Sequence, residues 1–478
     1  MKLKNCIQIL SVATLLVLAA SCTNHRKTGK AEETPDIDTT ATVDTTAPVT
    51  DTQEPMETVP VNRGEGTASE SFEGSVDFGE HFTEGRLRID LAFCGDSRRQ
   101  DVYVKSLFKE KQWSGSPSSL IDKMGYGDYF FELTENGSLI FSRGFCSLFG
   151  EWRTTDEAAR IQRCMSQSLW MPFPKHRVHF VLYERIRKTG KFRPLMEFDI
   201  DPSDRHIISG YDNGFAVRTL QYKGAPSHKV DIAFVGEGYK ESQIQKLRND
   251  AGRFLHYIFS VEPYASRAND FNVWLVESFS ADEGTDIPQD GIWKNTLLDS
   301  GFDTFYTDRY LTVTDQTKIA SAVSGTNADA VIVLVNESKY GGAGIYGSYA
   351  MASSDNERSL PVVIHEFGHS FAGLGDEYYD SEVATEGFYP LDVEPWEPNL
   401  TTNVNFESKW KDMIEEGTPV PTPNEAEWAG KVGMFEGGGY MNNGCFRPYL
   451  DCRMKSNEPE RFCPVCEKAI IKMIDFYL

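Results

Sequence analysis

Residues 361–379 read PVVIHEFGHSFAGLGDEYY, and this stretch decides how the second half of the chain folds. Pro361 suits the first turn of a helix, where its missing N–H has no partner to lose. Gly373 is expected to end the helix, because a residue without Cβ adopts the left-handed conformation at little cost. Between them, apolar residues recur at helical spacing, namely Val363, Ile364, Phe367 and Phe371, with Leu374 just beyond. The pattern predicts an amphipathic helix from about Pro361 to Gly373.

Two histidines on this predicted helix, His365 and His369, lie four residues apart. Both imidazoles therefore project from one face and can hold one metal ion, for which Zn²⁺ is the expected cofactor. Glu366 follows the first histidine and is expected to take a proton from water beside the metal, as a general base. The alternative is a buried helix with two structural histidines. Gly373 is placed to end the helix, and acidic residues that could act as ligands follow it directly. Both features favour a metal site over structural histidines.

A zinc-dependent hydrolase needs three protein ligands and one open position. Asp376 comes three residues after Gly373, an interval that resembles the metzincin motif, although the glycine comes one residue later than in that motif. We predict Asp376 as the third ligand and keep Glu377 as the alternative, because consecutive residues of an extended segment point to opposite sides. Tyr378 or Tyr379 is a candidate stabiliser of the oxyanion, with Tyr378 preferred, although aromatic residues at a helix exit more often serve packing.

The region after residue 215 combines five short motifs, namely His365-Glu366-x-x-His369, Leu374-x-Asp376-Glu377-Tyr378, Arg447-Pro448, Cys452-x-Met454 and Phe462-Cys463-x-Val465-Cys466. In this combination the region resembles the IgA-specific metalloendopeptidase family of bacterial zinc peptidases. The resemblance implies endopeptidase chemistry at a zinc ion held by His365, His369 and Asp376. IgA itself is not implied as the substrate, because specificity depends on pockets rather than on the fold.

The same resemblance implies that Glu366 is the base and that Met454 belongs to the turn that underlies the zinc in metzincins. Without the resemblance, Met454 would be interpreted as an ordinary core residue, because methionine fills irregular gaps well. The region that precedes residue 213 also resembles the N-terminal module often joined to this family.

The first 22 residues have the three parts of a secretory signal. Lys2 and Lys4 form a basic start, an apolar run extends from Ile7 to Ala20, and small residues precede Cys22. Small residues before a cysteine resemble the lipobox of bacterial lipoproteins, so we predict export and a membrane anchor through lipidated Cys22. The predicted location is the cell envelope, as an outer-membrane, periplasmic or surface-exposed lipoprotein. An ordinary cleaved signal is the alternative.

Residues 23–75 are rich in Thr, Glu, Asp, Pro and Ser and poor in aromatic residues. Such a composition buries too little apolar surface to offset chain entropy, so we predict a disordered acidic linker. The whole chain has 48 basic and 71 acidic residues and a formal net charge of −23. Nucleic acid is therefore not an expected partner, since phosphate contacts need clustered Lys and Arg. The zinc motif predicts a protein or peptide substrate as the partner.

Residues 76–212 are expected to form a β-rich N-terminal domain. Polar and apolar side chains alternate over residues 86–93, and residues 134–137 have the composition of a tight hairpin turn. Further strands are predicted over residues 179–183 and 195–200. A small antiparallel sandwich fits this pattern. The sequence of this region shows no catalytic constellation, so the domain either supports its neighbour or binds something.

Residues 213–478 are expected to form the zinc metallopeptidase domain. Strands and one helix alternate there, over residues 230–235, 241–259, 271–276 and 328–335. The glycine-rich segment 340–351 is expected to form either a flexible loop or the edge of the sheet, where its glycines would let an extended peptide approach closely. The predicted fold class is α+β and multidomain, with an N-terminal β-sandwich-like domain followed by an α/β metzincin-like zinc peptidase domain.

Four cysteines near the end of the chain, Cys445, Cys452, Cys463 and Cys466, allow two interpretations. They could hold a second, structural zinc ion through four thiolates. They could instead form two disulfides, which an oxidising export route favours. A four-thiolate site usually has two closely spaced pairs, and the six residues between Cys445 and Cys452 make one pair loose. We therefore favour disulfides.

These features together predict a secreted, lipid-anchored zinc endopeptidase that hydrolyses peptide bonds of proteins or glycoproteins, with Glu366 as the base. A zinc amidase that acts on cell-wall peptides would need the same ligands and is one alternative. A surface binding protein with a vestigial metal site is another. The intact Glu366 disfavours the second alternative, because a binding protein has no chemical need for that base.

Overall fold

The computed structural model describes residues 65–379 and 387–478. The predicted signal peptide 1–22, with its lipidation site Cys22, and most of the predicted linker lie outside the described residues. Residues 65–75, which the prediction assigned to the linker, contact the β domain through buried Ser69, whose N–H and hydroxyl donate to Glu132 at 2.8 and 2.9 Å. No helix in the described ranges is long and apolar enough to cross a membrane.

Strands dominate the described chain up to residue 212, as the sequence predicts. The elements are α1 (Phe78–His81), β1 (Phe82–Gly95), β2 (Gln100–Glu110), β3 (Tyr129–Glu135), β4 (Ser138–Phe145), α2 (Leu148–Trp152), β5 (Arg163–Pro174), β6 (Val178–Arg185), β7 (Phe192–Ile200) and β8 (Ile208–Ser209). They form two four-stranded sheets, ordered β5-β1-β2-β8 and β4-β3-β6-β7. Both sheets contribute to one hydrophobic core, with Ile89 from β1 and Phe131 from β3 among its members.

The hairpin predicted over residues 134–137 is confirmed. Strands β3 and β4 pair antiparallel with Glu135 opposite Ser138, so that Asn136 and Gly137 form the loop. Both loop residues have positive φ, 50° and 82°. Two-residue hairpins need this backbone twist, and an Asn-Gly pair adopts it at little cost.

The polar side chains of β1 are buried between the β domain and the second half of the chain. Arg86 donates to Glu110 at 2.6 Å and to the carbonyl oxygen of Ala328 at 3.2 Å. Arg88 pairs with Glu110 at 3.2 Å and with Asp90 at 3.1 Å. Buried charges need such partners, because an unpaired charge away from water is strongly destabilising. The network therefore holds this sheet against the segment around Ala328, in the second half of the chain.

Strands and helices alternate in the described chain from residue 217 onward. The elements are β9 (Val217–Gln221), β10 (Val230–Glu237), α3 (Ile244–Ile258), β11 (Phe271–Val276), α4 (Gln316–Val323), β12 (Ala330–Val335), β13 (Gly342–Ile345), β14 (Tyr349–Ser353), α5 (Ser359–Ala372), β15 (Phe435–Gly438), β16 (Met441–Arg447) and α6 (Pro464–Tyr477). The three buried strands and the helix predicted from the sequence are confirmed, as β10, β11, β12 and α3.

Strands β9 to β14 form one six-stranded sheet, ordered β13-β14-β12-β10-β11-β9. The four central strands run parallel, and the two edge strands, β13 and β9, run antiparallel to their neighbours. Strand β10 is buried along its whole length, as expected of a central strand that is covered on both faces. Helix α5 packs on the β13 and β14 side of this sheet. The predicted metal motif therefore lies beside the β13 edge.

The glycine-rich segment 340–351 forms β13 and the start of β14, so the edge-strand interpretation is confirmed. At Gly344, however, glycine is required for a reason that the sequence did not suggest. A Cβ on Gly344 would lie 2.2 Å from the carbonyl oxygen of Glu366 and 2.8 Å from Cβ of His369. Glycine is needed here because the strand backbone lies directly on the face of α5 that carries the histidines.

Candidate metal centre

Helix α5 carries the predicted motif and ends where the sequence places its end. Gly373 has φ 65° and ψ 26°, which is the predicted left-handed conformation. The Gly373 N–H donates to the carbonyl oxygen of His369 at 3.0 Å, and the Leu374 N–H donates to that of Gly368 at 3.2 Å. Two carbonyls of the last turn are thereby satisfied. The predicted apolar side of the helix is buried, including Val363, Ile364, Phe367, Phe371 and Leu374.

Three donor atoms converge next to this helix. Nε2 of His365 lies 3.1 Å from Nε2 of His369, and Oδ1 of Asp376 lies 3.0 Å from the first nitrogen and 3.2 Å from the second. Ligand atoms held about 2.0–2.2 Å from one zinc ion in a tetrahedron would lie about 3.3–3.6 Å apart. The structure therefore brings the two predicted histidines and Asp376 together at nearly the spacing of metal ligands.

The other nitrogen of each imidazole is tied to the backbone. Nδ1 of His365 lies 2.8 Å from the carbonyl oxygen of Arg453, and Nδ1 of His369 lies 2.5 Å from that of Leu374. A carbonyl oxygen only accepts, so each Nδ1 carries the proton, and in a neutral imidazole Nε2 then has a free lone pair. Two lone pairs and a carboxylate oxygen thus face one another, which requires a cation between them. Two nitrogens and one oxygen are a donor set that suits Zn²⁺.

The local electrostatics also favour one positive charge at this point. Burial alone would lower the pKa of His369, but the charge of Asp376 and the hydrogen bond to it outweigh burial and raise that pKa to about 9. Burial would raise the pKa of Asp376, yet the charge of His369 and the hydrogen bonds from both histidines hold it well below its usual value. The carboxylate therefore stays ionised, and the imidazole pair has a place for a proton or a metal ion.

Glu366 lies beside the two histidines of this group. One of its carboxylate oxygens lies within 4.8 Å of a ring nitrogen of His365 and of His369. The side chain is half-buried, and desolvation raises its pKa, against the lowering effect of the histidine charges. A carboxylate with a raised pKa accepts a proton more readily near neutral pH, as a general base must. Its position therefore fits the role that the sequence predicts.

Tyr440 is a member of this site that sequence reasoning missed. Its hydroxyl donates to Oδ2 of Asp376, a residue 64 positions earlier in the chain. Tyr440 lies in the turn between β15 and β16 and has φ 66°, a conformation that is rare for residues other than glycine and concentrated at functional sites. A donor to the second oxygen of a ligand carboxylate orients that ligand. The glycines at 437–439 indicate a tight turn, but they do not reveal this contact.

Tyr440→Phe is expected to weaken zinc binding at the converging donor atoms by about 10–100-fold, because Asp376 loses the donor that orients it. Equilibrium dialysis against zinc buffers measures the affinity. Tyr389→Phe is a matched control, since the Tyr389 hydroxyl donates to Glu397 at 2.8 Å and not to a proposed ligand. This control is expected to bind zinc like the wild type. Equal affinities of Tyr440→Phe and the wild type would show that the hydroxyl does not orient Asp376.

Tyr378 borders the same group of side chains. Its ring stacks on His365, with centroids 6.5 Å apart and an interplanar angle of 17°, and it meets Tyr440 edge-on at 5.3 Å. The guanidinium of Arg309 lies 5.7 Å from the centre of the Tyr378 ring. The predicted oxyanion stabiliser is therefore next to the converging donor atoms. Tyr379, by contrast, packs against Arg447, with 5.0 Å between the guanidinium carbon and the centre of the ring.

Met454 lies directly beneath the helix that carries the motif. It is fully buried, and a Cβ on Gly368 would lie 2.9 Å from its sulfur. The carbonyl oxygen of Met454 accepts the N–H of Glu377 at 2.7 Å, and the preceding carbonyl, that of Arg453, holds His365. The chain around Met454 therefore supports both α5 and the segment that follows it. Its membership of a methionine turn of the metzincin kind stays a prediction.

Glu377, the alternative third ligand, belongs to a different group of side chains. Its Oε1 accepts a hydrogen bond from Nδ2 of Asn399 at 3.0 Å and lies 3.2 Å from Sγ of Cys466. Asp376 and Glu377 thus point to different neighbours, as consecutive residues of an extended segment do. Of the two acidic residues, the structure brings Asp376 to the histidines.

The disulfides predicted among the four late cysteines are absent from the described structure, so that prediction is wrong. Sγ of Cys452 and Sγ of Cys466 lie 3.9 Å apart, whereas a disulfide bond is about 2.05 Å long. Cys445 packs in a separate small apolar cluster and meets none of the other three. The described structure has a disulfide elsewhere, between Cys94 and Cys164. These two residues lie opposite each other on the neighbouring strands β1 and β5.

A cavity of about 620 Å³ opens beside the converging donor atoms. Part of its wall comes from the second half of the chain and includes His369, Asp376 and Tyr440. Another part comes from the β domain and includes Glu151 and Arg185. This volume is within the usual range of ligand-binding clefts. The β domain, to which the sequence assigned no role, therefore contributes to the surface around the site.

Comparison with known proteins addresses the family of the chain. A family model described as IgA Peptidase M64 matches residues 219–428 and 424–474, a range that contains all three converging donors and Glu366. A model described as Peptidase M64 N-terminus matches residues 77–194, within the β domain. No curated protein matches the chain. The resemblance found in the sequence is confirmed, and since the first model covers more than half of the 478 residues, the chain belongs to the IgA peptidase M64 family and is a metallopeptidase.

Proposed function

We propose that this metallopeptidase is a zinc-dependent endopeptidase that hydrolyses peptide bonds of proteins or glycoproteins. The observation that carries the proposal is the convergence of Nε2 of His365, Nε2 of His369 and Oδ1 of Asp376, which are 3.0–3.2 Å apart. These atoms would hold the zinc ion in a metzincin-like arrangement, with Met454 beneath it. Glu366 beside them supplies the base that hydrolysis requires.

The proposed chemistry assigns a separate task to each side chain. When bound, zinc would polarise a peptide carbonyl and make water easier to deprotonate. Glu366 accepts a proton from the attacking water at its carboxylate and returns it to the leaving nitrogen. Tyr440 keeps Asp376 oriented through Oδ2. Tyr378, whose ring stacks on His365, is proposed to donate its phenol to the carbonyl oxygen as negative charge develops there.

The edge strand β13 supports action on internal peptide bonds. It pairs with β14 on one side and lies against α5, which carries the histidines. On its other side Gly342 accepts the N–H of Leu311 at 3.4 Å, so a peptide could add to this edge only beyond that residue. An extended peptide can add to such an edge through main-chain hydrogen bonds, which are independent of side-chain identity. A substrate aligned in this way would pass the site on both sides of the bond to be cleaved, as an endopeptidase requires.

We also propose that the chain is exported and anchored by lipid at Cys22, on the basis of the signal-like residues before it. Cys22→Ala is therefore expected to abolish lipid attachment. Radiolabelled palmitate given to producing cells should label the wild-type chain and not this variant. Cys6→Ala, which changes a cysteine just before the apolar run, is the matched control and should be labelled normally. Equal labelling of Cys22→Ala and the wild type would refute the lipid anchor.

The peptidase proposal is tested by incubating the purified chain with a library of peptides and glycoproteins, followed by mass spectrometry. Cleavage of internal peptide bonds is expected with added zinc and not after removal of the metal by a chelator. Activity that survives complete chelation, or cleavage of only terminal residues, would contradict the proposal. Cell-wall peptides form a second arm of the same library. Cleavage confined to that arm would favour the zinc amidase instead.

A further inference from the structure

We propose that Cys452, Cys463, Cys466 and Glu377 bind a second, structural Zn²⁺. We call these four residues the cysteine centre, and we call His365, His369 and Asp376 the histidine centre. One ligand atom from each residue of the cysteine centre lies within 4.8 Å of those from the other three, and all four residues are buried. Spacing in the sequence suggested Cys445 as the fourth member, whereas the fold puts a carboxylate in that place.

The distances within the cysteine centre fit tetrahedral coordination. Sγ of Cys452 lies 3.9 Å from Sγ of Cys466, which in turn lies 3.2 Å from Oε1 of Glu377. Zinc bonds of about 2.3 Å to sulfur and about 2.0–2.2 Å to oxygen would place two sulfurs about 3.8 Å apart, and a sulfur and an oxygen about 3.5 Å apart. The observed spacing is therefore close to that of ligands around one ion and far from that of a disulfide.

The carboxylate of Glu377 is not satisfied by its described protein neighbours. The residue is 0 % exposed, and its Oε2 has no hydrogen-bond partner among the described residues. Asn399 donates to the other oxygen, and the nearby Arg447 directs its guanidinium to the carbonyl oxygens of Glu436 and Gly437. A buried carboxylate in this position needs a cation. A divalent ion among the three sulfurs supplies one.

The start of α6 carries two of the three cysteines, and cysteine binds zinc as the thiolate. Cys463 is the N-cap residue of α6, and Cys466 lies in the first turn of that 14-residue helix. The N-terminus of a helix stabilises negative charge through its free N–H groups and its dipole. The N–H of Cys463 also donates to Sγ of Cys452 at 3.2 Å. Such donors orient the ligands of a metal site.

The second ion would join three segments that together support the histidine centre. Glu377 directly follows Asp376, Cys452 is two residues before Met454, and the remaining two ligands begin α6. The Glu377 N–H already donates to the carbonyl oxygen of Met454 at 2.7 Å. A metal ion at the cysteine centre therefore fixes the segment that carries Asp376 to the turn beneath α5. Its role is structural, since none of its four ligands belongs to the histidine centre.

The full chain carrying His365→Ala and His369→Ala isolates the cysteine centre, because the histidine centre has then lost two ligands. Metal analysis is expected to find two zinc ions per wild-type chain, one in this double variant and none when Cys463→Ser is added to it. Cys445→Ser, added to the same double variant, is the matched control. Cys445 is also buried and unpaired but lies outside the cluster, so the ion should remain.

X-ray absorption at the zinc edge of the His365→Ala and His369→Ala double variant gives a readout that does not require Cys463→Ser to fold. A shell of sulfur neighbours at about 2.3 Å is expected. A double variant without zinc, or with only nitrogen and oxygen around the ion, overturns the proposal. A disulfide between Cys452 and Cys466 found by mass spectrometry does the same. Neither measurement uses hydrolysis, so failure of the proposed peptidase function would leave both results unchanged.

Discussion

Replacement of Glu366 by glutamine is expected to lower the rate of peptide hydrolysis by about 10²–10⁴-fold or more, while zinc stays bound at the histidine centre. Glutamine keeps the size of the side chain, but its amide cannot take a proton from water and return it to the leaving nitrogen. The three converging donor atoms belong to other residues, so the metal keeps its ligands. Cleavage of a library peptide and the zinc content of the same sample measure the two effects.

Glu357→Gln is the matched control for this experiment, because it makes the same substitution at an exposed position just before α5. It is expected to keep both hydrolysis and zinc. Hydrolysis at the wild-type rate by Glu366→Gln would remove Glu366 from the role of base. Loss of zinc from Glu366→Gln would have a different meaning, since it would assign the carboxylate as a ligand rather than as a proton acceptor.

The features that could be predicted from the sequence depend on residues close together in the chain. The positions of His365 and His369 on one helical face follow from their spacing, and the helix end follows from the conformational freedom of Gly373, whose φ is 65°. The Asn136-Gly137 hairpin is of the same kind, because its two residues alone determine the turn. In each case local backbone preference and the final fold agree.

The features that were missed depend on contacts between distant segments. Tyr440 meets Asp376 across 64 positions, and Cys466 meets Glu377 across 89 positions. Spacing contains no information about such pairs, since the backbone between them is free to take many paths. The preference for disulfides failed for this reason. It grouped cysteines by their nearness in the sequence, whereas the fold separates Cys445 from the others and brings in a carboxylate.

Close packing was missed for a related reason. The composition of segment 340–351 predicts an edge or a loop, but the need for glycine at Gly344 arises only when β13 is placed on α5. The alternation over residues 86–93 likewise predicts a strand correctly, yet the burial of Arg86 and Arg88 depends on the second half of the chain covering that face. Local patterns thus predict the elements, and the assembly of those elements decides what each side chain does.

Asp376→Ala is expected to empty the histidine centre and to lower its zinc affinity by more than about 100-fold, since loss of an outer partner alone costs about 10–100-fold. Oδ1 of Asp376 lies 3.0 and 3.2 Å from Nε2 of His365 and of His369, and Oδ2 accepts the hydroxyl of Tyr440. Alanine therefore removes a ligand, its negative charge and its support at once. Equilibrium dialysis, with zinc counted per chain, measures the loss.

Combined variants decide which acidic residue is the third ligand. Asp376→Ala and His365→Ala should release the same ion, so the two together should release no more zinc than either alone. Glu377→Gln acts at the cysteine centre and should add to the release caused by His365→Ala. If Glu377→Gln emptied the histidine centre while Asp376→Ala left it filled, Glu377 would be the ligand. The fold argues against that result, because Oε1 of Glu377 lies 3.2 Å from Sγ of Cys466, and consecutive residues of an extended segment cannot both face the histidines.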